Sequence, residues 1–208
     1  MDIVHLQGTV GQATANAGES RAVTLTRNLG LRGGDVQARF QDAVERGNVY
    51  GVCNQAGVTS QAGLSATTPV LTLANPTGSG VNGVLWFAGA TFSVAFATAG
   101  AIWLAHSAVP AALATLTTAH RNLKLAGSQG NKLKALLAAT LPAAPVGVCL
   151  LGVGLTGAIT TIPHLPTVGR WFNGSILIEP GQAVSIQTGV ASGASGMFCE
   201  YIWEEAPA

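Results

Sequence analysis

Two G-x-G-x-x-G spacings, four histidines, three cysteines and nine carboxylates are the residues of this chain best suited to chemistry. Each set lacks a partner that its chemistry needs. The glycine motifs fall at residues 78–83 and 152–157. A dinucleotide site requires a helix to open there, so that free N–H groups meet the pyrophosphate. Val84-Leu85-Trp86-Phe87 instead reads as strand, and Pro163 soon follows the second motif. With 27 glycines in the chain, chance matches are expected, and no Walker-type Gly-Lys-Ser/Thr is present. His5, His106, His120 and His164 share no ligand spacing with one another or with Cys53, Cys149 and Cys199. No G-x-S-x-G occurs, and no carboxylate lies between Glu45 and Glu179, so paired-acid hydrolysis has few candidates. The residues therefore predict no enzyme, no metal site and no cofactor. The odd, widely spaced cysteines predict buried free thiols, and the absence of a secretory signal near the start predicts folding in a reducing cytoplasm.

Arginine is the remaining chemical resource. Arg21, Arg27, Arg32, Arg39 and Arg46 recur at intervals of five to seven residues, each able to pair bidentately with a partner's carboxylate. One reading makes them a docking arm. The other has them solvate a surface or pair within the chain with Asp35, Asp42 and Glu45.

Charge sets these arginines apart from everything that follows. The 208 residues carry ten basic and nine acidic side chains, a formal net charge of +1, which gives no general reason to expect nucleic acid or an anionic membrane as partner. Nine of these charges lie between Glu19 and Arg46, and residues 47–120 contain none. So long a neutral stretch is unusual for a solitary soluble domain, and it predicts a surface facing other protein. The length suits one sizeable core with an arm or small insertion.

Residues 83–105, GVLWFAGATFSVAFATAGAIWLA, are long and apolar enough to cross a bilayer as a helix. Phe92, Val94 and Phe96 alternate with small or polar residues, glycines at 83, 89 and 100 divide the run, and neither flank has a nearby basic anchor. These features predict strands. Residues 135–159 follow Lys132 and Lys134, but Pro142, Pro145 and four glycines oppose a continuous helix. No membrane is expected as partner.

The elements read accordingly. SILIEPGQAVSIQT predicts a hairpin, Ser175 to Ile178 and Ala183 to Gln187, around a type II turn with Pro180 at i+1 and Gly181 at i+2. MFCEYIWEE sets Cys199, Tyr201 and Trp203 on one face and Glu200 and Glu204 on the other. An amphipathic helix is predicted between an Asp35 N-cap and a Gly47 C′ residue, with Val36, Phe40, Ala43 and Val44 on its apolar face. Asp35–Arg39 and Asp42–Arg46 would pair on its outside. Residues 119–140 read as a basic surface insertion with a short helix over 132–139. The fold class is thus mainly β, an antiparallel sandwich of jelly-roll type. Residues 1–46 would form an N-terminal arm and short helix, and residues 47–208 the body.

The sequence of residues 46–86, RGNVYGVCNQAGVTSQAGLSATTPVLTLANPTGSGVNGVLW, followed by ILIEPGQAVSIQT and a closing YIWEE, resembles a recurrent family of tailed-phage virion proteins. The likeness covers the two ends well and residues 106–170 poorly. It implies a β-sandwich structural protein of the virion, a head decoration or cement protein acting as a homotrimer on the major capsid protein or another virion protein, with no catalysis and no cofactor. The trimer count rests on the resemblance alone. A tail, baseplate or fibre module binding a host glycan is the alternative; Trp103 and Trp171 are its candidate stacking residues, against the expectation that both are buried.

Overall fold

The computed structural model of the chain describes residues 24–25, 31–32, 41–113, 120–126, 130–154, 156, 167–192 and 196–208. The chain divides into two units, Met1–Arg39 and Phe40–Ala208. Within the first, β1 (Thr24–Leu25) and β2 (Leu31–Arg32) pair antiparallel, Thr24 opposite Arg32.

The second unit begins with α1 (Gln41–Arg46). Gly47, at φ +77°, ends this helix: its N–H donates to the Val44 carbonyl and the Asn48 N–H to that of Ala43, the paired bonds of a Schellman stop. Predicted positions 35–40 of the helix, with the Asp35 cap and the Asp35–Arg39 pair, lie outside the described residues. Ala43 and Val44 pack on Val49 and Trp86, so α1 covers part of one sheet's outer face.

Ten strands follow: β3 (Val49–Cys53), β4 (Leu71–Ala74), β5 (Val81–Phe92), β6 (Gly100–Ala108), β7 (Arg121–Asn122), β8 (Lys134–Leu137), β9 (Val146–Gly154), β10 (Thr167–Ile178), β11 (Gln182–Thr188) and β12 (Met197–Pro207). They form two five-stranded antiparallel sheets, ordered β10-β5-β12-β3-β7 and β8-β4-β11-β6-β9. Apart from β7 and β8, which extend one edge of each sheet, the first strand pairs with the last (β3 with β12), then β4 with β11, β5 with β10 and β6 with β9. This is a long hairpin of eight strands rolled into a sandwich, a jelly roll. The core lies between the sheets, with Leu85, Phe92, Tyr201 and Trp203 of one meeting Leu71, Leu73, Ile102 and Leu104 of the other, all fully buried.

Residues 83–105 are therefore two strands in opposite sheets, β5 and β6, not a helix. No helix of the described residues is long and apolar enough to cross a membrane. The glycines do not divide the run as expected: β5 continues through both Gly83 and Gly89. The chain leaves the strand at Phe92, so Val94 is exposed while Phe96 turns back to pack edge-on against Phe92 at 5.2 Å.

Two further expectations need correction. At residues 179–182 the turn is as read, with Gly181 at φ +88° and the Gln182 N–H donating to the Glu179 carbonyl at 3.0 Å. However, β10 and β11 do not pair; the turn carries the chain from one sheet to the other. Asn75 takes the place of a hairpin partner. Its main chain bonds Gly181 and Gln182, and its side-chain amide donates to Val81 O and Ile178 O at 2.7 and 2.8 Å. The helix expected over 132–139 is instead strand β8, paired with β4 from Leu71–Leu137 to Ala74–Lys134. Helix-forming residues yield here to the open edge of β4, which offers a ladder and a place to bury Ala135 and Leu136.

Candidate functional site

The five arginines expected to dock are only partly in view. Arg21, Arg27 and Arg39 lie outside the described residues, and Arg32 is placed in β2 by its backbone. Arg46 occupies the last turn of α1 with its side chain exposed, where a cation suits the helix dipole. Arg46 is thus the one member of the set whose side chain is seen at the surface of the body.

The basic insertion of residues 119–140 holds a second group of cations. Arg121 lies in β7, Lys124 follows it, and Lys132 and Lys134 lead into β8, so all four border the short strands β7 and β8. Lys124 Nζ donates to the Glu45 carbonyl at 2.9 Å and Asn122 Nδ2 to the Gly47 carbonyl at 2.6 Å, clasping the end of α1. Behind Lys132 sits Glu205. Alternation along β12 places it on the inward face after Cys199, Tyr201 and Trp203, and its buried carboxylate accepts from the backbone N–H groups of Lys132 (2.8 Å) and Leu133 (2.9 Å). Burial, helped by the Glu205 charge and opposed by a hydrogen bond from Asn122, raises the Tyr50 phenol above its ordinary pKa.

The aromatic expectation divides. Trp103 is half-buried, but Trp171 is exposed on β10, against the reading that both are core residues. Its ring lies 4.9 Å from that of Phe87, its register partner on β5. Phe87 in turn lies across Gly89 and Gly169, which face each other in the ladder. A Cβ on either would come within 2.7 Å of the ring, so two glycines make the bed on which this aromatic pair rests. Arg170, beside Trp171, places its guanidinium 5.7 Å from the Phe172 ring. Trp171 is legible in sequence as a tryptophan, but its outward direction depends on register.

All three cysteines are free thiols, Cys199 buried, Cys149 half-buried and Cys53 exposed, so burial holds for one and fails for Cys53. Burial raises the Cys199 thiol far above its ordinary pKa; burial also raises Cys149, with Arg170 pulling the other way. His106 Nε2 lies 2.7 Å from Gln182 Oε1, and His120 packs near Tyr50 and Trp203. Among the described residues, no three of His, Cys, Asp and Glu gather as a metal site would require. The first glycine motif opens β5 rather than a helix.

No protein-family model matches the chain, and comparisons with curated proteins and with solved structures returned no match either. Fold and surface chemistry alone carry the functional reading.

Proposed function

We propose that the protein is a non-enzymatic structural protein of a virion, a decoration or cement protein that binds the head shell and stabilises it. The observation that carries this reading is a jelly-roll body, an architecture used by viral capsid domains, whose surface leaves large apolar side chains exposed along neutral strands. A fold hosts many functions, so the surface has to make the choice. A surface poor in charge and rich in exposed Val, Leu and Trp suits burial in an assembly, where obligate interfaces are more apolar than ordinary surface. The mechanism is adhesion. Copies that fold in the host cytoplasm and then bury area across the joints between shell subunits favour the joined state by linkage. Residues 1–46, with Arg21, Arg27, Arg32, Arg39 and Arg46, supply the charge-assisted part of docking in this proposal.

Exposed Trp171, its ring against half-buried Phe87, favours a second reading, a tail, baseplate or fibre module that stacks a host sugar. Mass-spectrometric inventory of purified heads and tails separates the two. Expected is the protein on heads, with a chain lacking residues 1–32 folded but at reduced occupancy, more so at higher salt because exposed pairs are screened. Recovery with tails, together with glycan binding abolished by Trp171→Ala, overturns the head reading. Undiminished occupancy of the truncated chain removes the arginines from docking and moves the contact to Arg121, Lys124, Lys132 and Lys134.

A further inference from the structure

The two sides of the sandwich are finished differently. On one, the edge strands β7 and β8 are two and four residues long and bordered by Arg121, Lys124, Lys132 and Lys134. On the other, β9 runs nine residues and β10 twelve, and Arg170 is the only Asp, Glu, Lys or Arg in residues 146–178. Short strands and edge charges are the usual means by which a solitary sheet discourages docking. Only the first side has both.

Six of the eight large apolar side chains exposed among the described residues lie on the second side: Val146, Val148, Leu150 and Val153 of β9, Trp171 and Leu177 of β10, each between 49% and 69% exposed. At about half exposure, six side chains of this size present on the order of 600 Å² of apolar surface, beside roughly 800 Å² per partner in a standard interface. Between the two strands opens a cleft of about 410 Å³, lined by Val148, Ile176–Ile178 and Val184 and by the polar side chains of His106, Glu179 and Gln182.

We propose that the β9–β10 side is the surface on which a second copy of this chain docks. The strip's single cation already lies against its own chain, beside Cys149 and Phe172, and its one carboxylate, Glu179, stands at the end of the cleft, so the partner needs to present mainly apolar surface. Among the described residues this chain offers such surface in quantity only on the strip itself, so strip meets strip. Register shifts opposite β9, at Ile102/Trp103 and Leu104/Ala105, and within β10 between Trp171 and Ile176, interrupt both edges. Side chains, not a continuous ladder, therefore make the contact, and the clefts receive them.

This deepens the assembly part of the proposed function and is tested apart from it. Sedimentation equilibrium of the full chain at micromolar concentration compares wild type with Leu150→Glu/Leu177→Glu and with Leu125→Glu, a control 83% exposed and outside both strands. Wild type and control should be oligomeric, and the double variant should associate roughly 30-fold or more weakly with an unchanged circular dichroism spectrum. Should the glutamates impair folding, Leu150→Gln/Leu177→Gln reads the same shift. A monomeric wild type, or an oligomer indifferent to the paired substitutions, overturns the interface. An oligomer that responds as expected but is absent from virions overturns the functional reading and leaves the interface standing.

Discussion

Tyr201 is wholly buried, and its hydroxyl donates across the sandwich to the Leu71 carbonyl at 3.2 Å. Burial raises this phenol well above its ordinary pKa and, two residues earlier on the same face, raises the Cys199 thiol. Both groups hold their protons more tightly folded than unfolded. Their contribution to stability is complete below the unfolded values, about 9 to 10 for thiol and phenol, and is lost as pH rises beyond them. Thermal melting should therefore fall progressively above about pH 9. Tyr201→Phe should cost about 1–2 kcal/mol at neutral pH, because it removes a buried hydrogen bond, yet flatten the alkaline decline. A melting profile equally steep in the variant would refute the assignment. Alternation made Cys199, Tyr201 and Trp203 legible as an inward face. Nothing nearby in sequence revealed the hydroxyl's partner, because Leu71 lies in a strand that only the folded sandwich brings opposite.

At the scale of elements, local signals specified the turns better than the pairings. Pro180-Gly181 required its turn, and Gly47 the end of α1, because each glycine supplies a positive φ that few other residues tolerate. Pairing is a long-range property, and it decided where β10, β11 and β8 lie. Residues 132–139 have the composition of a helix, yet the β4 edge and the Glu205 carboxylate hold them as an approach and strand. Glu205→Ala removes the acceptor of two backbone N–H groups and should destabilise the protein by about 1–3 kcal/mol, with Glu205→Gln less severe because one acceptor oxygen remains. Amide hydrogen exchange should then accelerate first in Lys132 to Leu137. Uniform acceleration throughout the body would show that β8 is held by its ladder alone.

For the whole molecule, the sequence disclosed a neutral β body and a charged N-terminal region but not the strand order, which depends on contacts between the most distant parts of the chain. Nor could it show which neutral residues remain outside: Val146, Val148 and Leu150 lie exposed on the face of β9 opposite the one that turns Cys149 and Leu151 to the core. The roll that pairs first strand with last also determines how the body answers a mechanical load. Val49 lies opposite Glu204, so β3 enters and β12 leaves at the same end of one ladder. Tension applied through residues 48 and 208 would open that ladder one bond at a time, as a zipper, instead of shearing all its bonds together. Optical-tweezer pulling from these points should give a lower unfolding force than pulling from residue 48 and the far end of β3's partner, near residue 197, and equal forces would exclude the zipper. In the proposed cement role, strain from the shell would have to enter through the broad faces of the sandwich and not through the two strand ends at residues 48 and 208.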